Sequence, residues 1–110
     1  MNRLPMSSAG AALLRALLTR ALVSRDRILL TDYRSMDWQS LTFVGERHEF
    51  RFRATGPDAQ AIYERMTYRL TDTEFAIPRQ IVADAVLFGQ PSHEPDGSIS
   101  FTIEALTIQE

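Results

Sequence analysis

The chain has no cysteine and no lysine among its 110 residues. Without cysteine there is no disulfide, no thiolate metal site and no cysteine nucleophile, which fits a reducing compartment and makes the cytoplasm the expected location. Without lysine there is no Schiff-base lysine and no phosphate-loop lysine, so all twelve cations are arginines. Histidine is scarce. His48 and His93, with no cysteine beside them, are too few for a structural zinc site, and no metal is expected. The glycines, Gly10, Gly45, Gly56, Gly89 and Gly97, stand alone and build no phosphate cradle. The G-x-S-x-G and H-E-x-x-H patterns are also missing, and no cofactor is expected. No apolar run is long: Arg15 and Arg20 interrupt the N-terminal one, which is too short and too charged for a membrane span or a secretory signal.

What is present describes an ordinary globular chain. Hydrophobic residues make up 45% and charged residues 24%, enough for one domain with a real core. The net charge of −2 gives no overall attraction to nucleic acid or anionic lipid. Charge is unevenly placed, however: residues 1–27 carry about +4 and residues 28–110 about −6.

The stretch Trp38 to Arg53, WQSLTFVGERHEFRFR, reads as a β-hairpin. Gly45-Glu46 between two strand-like runs suits a type II′ turn, because glycine takes its positive φ without strain. That turn pairs Val44 with Arg47, Phe43 with His48 and Leu41 with Phe50. Alternation then gives a core face of Leu41, Phe43, His48, Phe50 and Phe52. Trp38, Ser40, Thr42, Glu49, Arg51 and Arg53 fall on a wet face, with Trp38 set to stack on Arg53.

Residues 1–6 read as a frayed end. Ser7 or Ser8 caps a helix running to about Ser24, with Leu14, Leu17, Leu18, Ala21 and Leu22 on one face. Residues 26–37 are ambiguous among a helix extension, a short edge strand and an extended cover over the core. Gly56-Pro57-Asp58 starts a second helix that runs to Leu70 or Thr71, with Ala59, Ile62, Tyr63, Met66 and Leu70 inward and Glu64, Arg65 and Arg69 in water. Phe75 to Pro78 is a connector. Arg79 to Gln90 and Ser98 to Gln109 are strands flanking the loop PSHEPDG. Ile99, Phe101, Ile103 and Ala105 alternate with Ser100, Thr102 and Glu104. The strand at 81–88 is apolar on both faces apart from Asp84, which calls for a second covering layer: helix 1 or another subunit.

The order α-β-β-α-β-β therefore predicts a four-stranded antiparallel sheet with helices on one face, a two-layer α+β sandwich in a single domain spanning 1–110. Its parts are an amphipathic helix at 7–24 and a β-β-α-β-β core at 38–110.

Three residues are the candidates for chemistry. His48 is a rim histidine bonded to backbone, or else a general base in a pocket between the sheet and helix 2. Asp84, among Val82, Ala83, Ala85 and Val86, is a solvated carboxylate, or else a buried one with a raised pKa. Tyr63 lies where the second helix would close such a pocket. Arg47, Arg51 and Arg53 with Trp38 would make a nucleic-acid platform, but Glu49 sits in the middle of that row, and nucleic acid is not an expected partner. The basic amphipathic segment at 7–25 has the pattern of an interfacial membrane helix, against the plainer reading of a helix packed on its own domain or on a second subunit.

The motif W-x-S-x-T-F-x-G-x-R-H from Trp38 to His48, the helix after Gly56-Pro57 and the strand Ile81-Val82-Ala83-Asp84 resemble a family of small uncharacterised bacterial proteins. The resemblance spans Trp38 to Glu110 and implies a compact domain without assigning it any chemistry. The β-β-α-β-β order with R-x-x-F-x-F from Arg47 to Phe52 is also similar to the pterin carbinolamine dehydratases. That family carries His-His-Pro at the end of its helix, where this chain has Ala76-Ile77-Pro78, so the resemblance implies the fold and not the dehydration.

Two functions follow as expectations. The first is a non-enzymatic interaction or structural module that self-associates, most simply as a homodimer. The second is a small ligand-binding or enzymatic domain with a pocket near His48, Tyr63 and Asp84 and a ligand of unknown identity.

Overall fold

Strand β2 (Val44–Ala54) is an interior strand, pairing with β1 (Ile28–Gln39) on one side and β5 (Ile99–Gln109) on the other. A computed structural model describes residues 6–22 and 25–110. Among these the order is α1 (Ser8–Thr19), β1, β2, α2 (Ala59–Thr67), β3 (Ala76–Ile77), β4 (Gln80–His93) and β5. The strands form one five-stranded antiparallel sheet in the order β1-β2-β5-β4-β3.

Five strands replace the expected four, and the order is α-β-β-α-β-β-β. The extra strand is β3, while β1 takes the place of the strand expected at 38–44. Residues 28–39 form a full edge strand, and the Pro78-Arg79 turn folds Ala76–Ile77 back on Gln80 and Ile81 as a short second edge. Arg79 takes φ of 62° there, the left-handed second position of a turn opened by proline.

The hairpin turn is also displaced. It lies at 40–43, and Gly45 is a strand residue opposite Trp38 and Ile108. Ser40 organises this turn, accepting at Oγ from the Phe43 amide at 3.1 Å while its own amide donates to the Phe43 carbonyl at 2.9 Å. Gly45 is needed for a different reason, since a Cβ there would collide with the Thr107 carbonyl of β5. His48, Phe50 and Phe52 still point inward, because alternation within a strand does not depend on where its turn lies. Their partners change to Ser35, Tyr33 and Leu30, whereas Leu41 and Phe43 leave the core for the exposed tip. Arg53 does not meet Trp38: it donates to the Ser98 hydroxyl at 2.9 Å and to Asp96 at 2.7 Å.

The helices cover one sheet face. Leu13, Leu17 and Ala21 from the α1 segment and Ala59, Ile62, Met66 and Leu70 from the α2 segment share a core with Phe50, Phe52, Phe101 and Ile103. Fully burying each of the large side chains contributes about 1.5–3 kcal/mol. Ser7 caps α1, its Oγ accepting from the Gly10 amide at 3.1 Å. The helix ends at Thr19, and Leu22 is exposed, so the apolar stripe runs one turn less far than its spacing predicts. Residues 1–5, 23 and 24, part of the expected frayed end and helix terminus, lie outside the described residues. The second helix stops at Thr67 and is followed by a 3₁₀ turn at Leu70–Asp72 that still delivers Leu70 to the core.

Strand β4 departs from simple alternation at a bulge. Val82 opposes Thr107 and Asp84 opposes Leu106, leaving Ala83 as the extra residue. Val82, Ala85 and Leu87 therefore face the helices, and Ile81, Asp84, Val86 and Phe88 face away. Unbroken alternation would have put Ile81 with Ala85 and Val82 with Asp84.

Candidate functional site

Two regions combine chemistry with an organised geometry: a buried polar chain beneath α1, and the helix-free face of the sheet.

The buried chain joins three strands. His48 is fully buried on β2, with its Nδ1 2.8 Å from the Tyr33 Oη of β1 and its Nε2 2.8 Å from the Thr107 Oγ1 of β5. A neutral imidazole donates at one nitrogen and accepts at the other, and each hydroxyl can serve either role, so the chain is satisfied in both directions. Burial pushes the His48 pKa down, opposed by the Glu46 carboxylate. Burial pushes the Tyr33 phenol up, with Glu46 adding to the rise while hydrogen bonds to Ser35 and Ser7 oppose it. Gly10 leaves the space that the Tyr33 hydroxyl occupies, since a Cβ on it would press on that oxygen. Below the chain an aromatic row runs from Tyr33 and His48 through Phe50 and Phe52 to Phe101 and Tyr63.

This geometry holds a histidine in place. Both imidazole nitrogens are engaged and the ring is closed to solvent, so His48 has no free position for a substrate proton. Tyr63 packs edge-on against Phe101, their centroids 5.1 Å apart. Asp84 is exposed on the opposite face of the sheet from His48, beside Leu106. The structure thus brings His48 and Tyr63 to one side, at the two ends of that aromatic row, and leaves Asp84 on the other. A cleft of about 330 Å³ opens elsewhere, between Ser8, Ala12 and Arg15 of α1 and Pro78, Arg79 and Gln80. Among the described residues no three histidine or carboxylate side chains gather as metal ligands, and no helix is long and apolar enough to cross a membrane. His93 ends β4, exposed and paired with Ile99.

The helix-free face carries the other region. Successive rows across the sheet can be read from the register. The end row is Trp38, Gly45, Ile108, Ile81 and Ala76. Next come Met36, Arg47, Leu106 and Asp84, and then Arg34, Glu49, Glu104 and Val86. The first two rows and the hairpin tip are rich in apolar side chains that point at water. Met36 is 66% exposed, Ile81 49%, Phe43 51% and Leu41 fully so. Sequence reasoning passed over Leu106 and Ile108, although a signal was present. From Ala105 onward the pattern of β5 changes phase, with Thr107 at an inward position and Leu106 and Ile108 at outward ones.

Fold and faces together define the class: an antiparallel α+β sandwich whose sheet, among the described residues, is covered by helices on one side and bare on the other. Comparison with protein-family models, curated proteins and solved structures finds no match in any of the three.

Proposed function

We propose that this chain is a non-catalytic interaction module that self-associates through the helix-free end of its sheet. The observation that carries the reading is the run of Trp38, Met36, Leu106, Ile108 and Ile81 across adjoining strands, next to Leu41 and Phe43 at the tip. Apolar surface of this kind, exposed at Met36 and Ile81 and half-buried at Trp38, Leu106 and Ile108, marks a contact site, because covering it removes apolar area from water. The α1 segment is not free to supply a membrane-binding face, since Leu13, Leu17 and Ala21 are spent on the core. His48 is likewise spent on Tyr33 and Thr107, which favours a structural role over a catalytic one. The face also bears Arg47 and Asp84 on either side of Leu106, neither in an ion pair among the described residues, so it is its own electrostatic complement.

Sedimentation velocity of the whole chain, from low to high micromolar concentration, tests this. A concentration-dependent dimer that Ile81→Arg abolishes is the expected result. A monomer throughout, or a dimer indifferent to Ile81→Arg, would overturn the reading.

A further inference from the structure

The sheet order β1-β2-β5-β4-β3 puts β5 at the centre with two strands on either side. Resting on the self-association proposed above, we infer that two copies meet face to face about a two-fold axis parallel to β5, lying over Leu106 and Ile108. Such an axis exchanges the two flanks of the face, so that β2 of one copy lies over β4 of the other and β1 over β3.

Each row then meets its own reverse. In the end row Ile108 meets its equivalent on the axis. Ile81 of the second copy lies over Gly45, which has no side chain, and Trp38 lies over Ala76, which has a small one. Large residues meet small ones on both sides of the axis, the condition for close packing at the roughly 10 Å spacing of stacked sheets. In the next row Leu106 meets Leu106, and Arg47 lies over Asp84 of the second copy, twice by symmetry.

The bulge at Ala83 makes this possible. It sets Ile81 and Asp84 on the same face, two rows in succession, where regular alternation would have divided them between faces. Glu104 marks where the contact stops, since it follows Leu106 outward on β5 and would face its own equivalent on the axis. Glu49 beside it adds a second like charge. Contact is therefore confined to the two apolar rows and the hairpin tip.

A charge exchange tests the axis. Arg47 and Asp84 are both exposed, so substitutions at either leave the fold intact, which far-ultraviolet circular dichroism checks. Arg47→Asp alone and Asp84→Arg alone each set like charges together twice and are expected to sediment as monomers. An equimolar mixture of the two restores opposite charges at both positions and is expected to recover the dimer mass, as is one chain carrying both substitutions. If Ile81→Arg gives monomers but the mixture does not recover, the axis is wrong and the contact face stands. Single charge variants that remain dimeric also overturn the axis. A dimer untouched by Ile81→Arg overturns both.

Discussion

Arg20 and Arg65 cap each other's helices. The Arg20 guanidinium, at the end of α1, donates to the carbonyls of Met66, at 3.2 Å, and Tyr68, and to the Thr73 hydroxyl at 3.0 Å. Arg65, in the last turn of α2, donates to the Ala21 carbonyl at 2.8 Å. Each positive group thus sits at the carbonyl end of the other helix, where orphan acceptors and the negative end of the dipole favour it. Read from the helical stripe alone, both arginines belong to the solvent.

Arg20→Met removes three donors from that junction and is expected to cost about 1–3 kcal/mol, the range for orphaned acceptors that lose a charged partner. Arg20→Lys keeps the charge without the planar fork and should recover only part of the loss. Urea unfolding of the three chains measures the difference.

Thr107→Val keeps the shape of the side chain and removes the hydroxyl opposite the His48 Nε2. A buried imidazole nitrogen left without a partner costs about 1–3 kcal/mol. Thr102→Val, on the opposite face of β5, removes only a 3.4 Å contact from Arg51 and should cost far less. Thermal melts of the two variants separate the effects.

The lowered pKa of His48 makes stability depend on pH. The unfolded chain takes up the proton first, near the ordinary value of 6.5, while the folded chain resists it. Stability is therefore highest above that value, falls as pH drops through it, and levels off below the folded pKa. Urea midpoints from about pH 8 to about pH 5 should show this decline, and His48→Gln should flatten it.

Gly10→Ala adds a Cβ that presses on the Tyr33 hydroxyl and lies 2.9 Å from the Met6 Cγ. Tyr33 is held by His48 and cannot swing aside freely, so the substitution should destabilise despite the better helix propensity of alanine. Tyr33→Phe removes the oxygen that Gly10 accommodates. The double variant should then be more stable than the sum of the single losses predicts, with a coupling of about 0.5–3 kcal/mol in a double-mutant cycle.

The Asp96 carboxyl is held down to about 2, first by the Ser98 hydroxyl at 2.6 Å and then by the Ser98 amide at 2.9 Å, with Arg53 contributing less. Carbon-detected NMR titration should place its midpoint there, and Ser98→Ala should move it up toward the ordinary aspartate range. The stabilisation from this group is present above the ordinary value and is lost as pH falls through about 2.

The sequence by itself determined the faces within single elements. Phe50 and Phe52 on β2, Ile99 to Ala105 on β5, and Ile62 and Met66 on α2 are buried as their periods of 2 and 3.6 require, because those periods depend only on local backbone geometry. Tertiary structure decided what crosses between elements. Gly45 resembles a turn glycine, yet its neighbour is the Thr107 carbonyl, more than sixty residues away. Strand β1 carries polar residues on both faces, as an edge strand does, and took its place only because β2 had a free side to pair. Nor did Ala83 announce a bulge; its position follows from holding Val82 against Thr107 and Ala85 against Ala105 together. Pairing register is a relation between strands, fixed when their apolar faces close on one core, and the bare face of this sheet is what that closure leaves over.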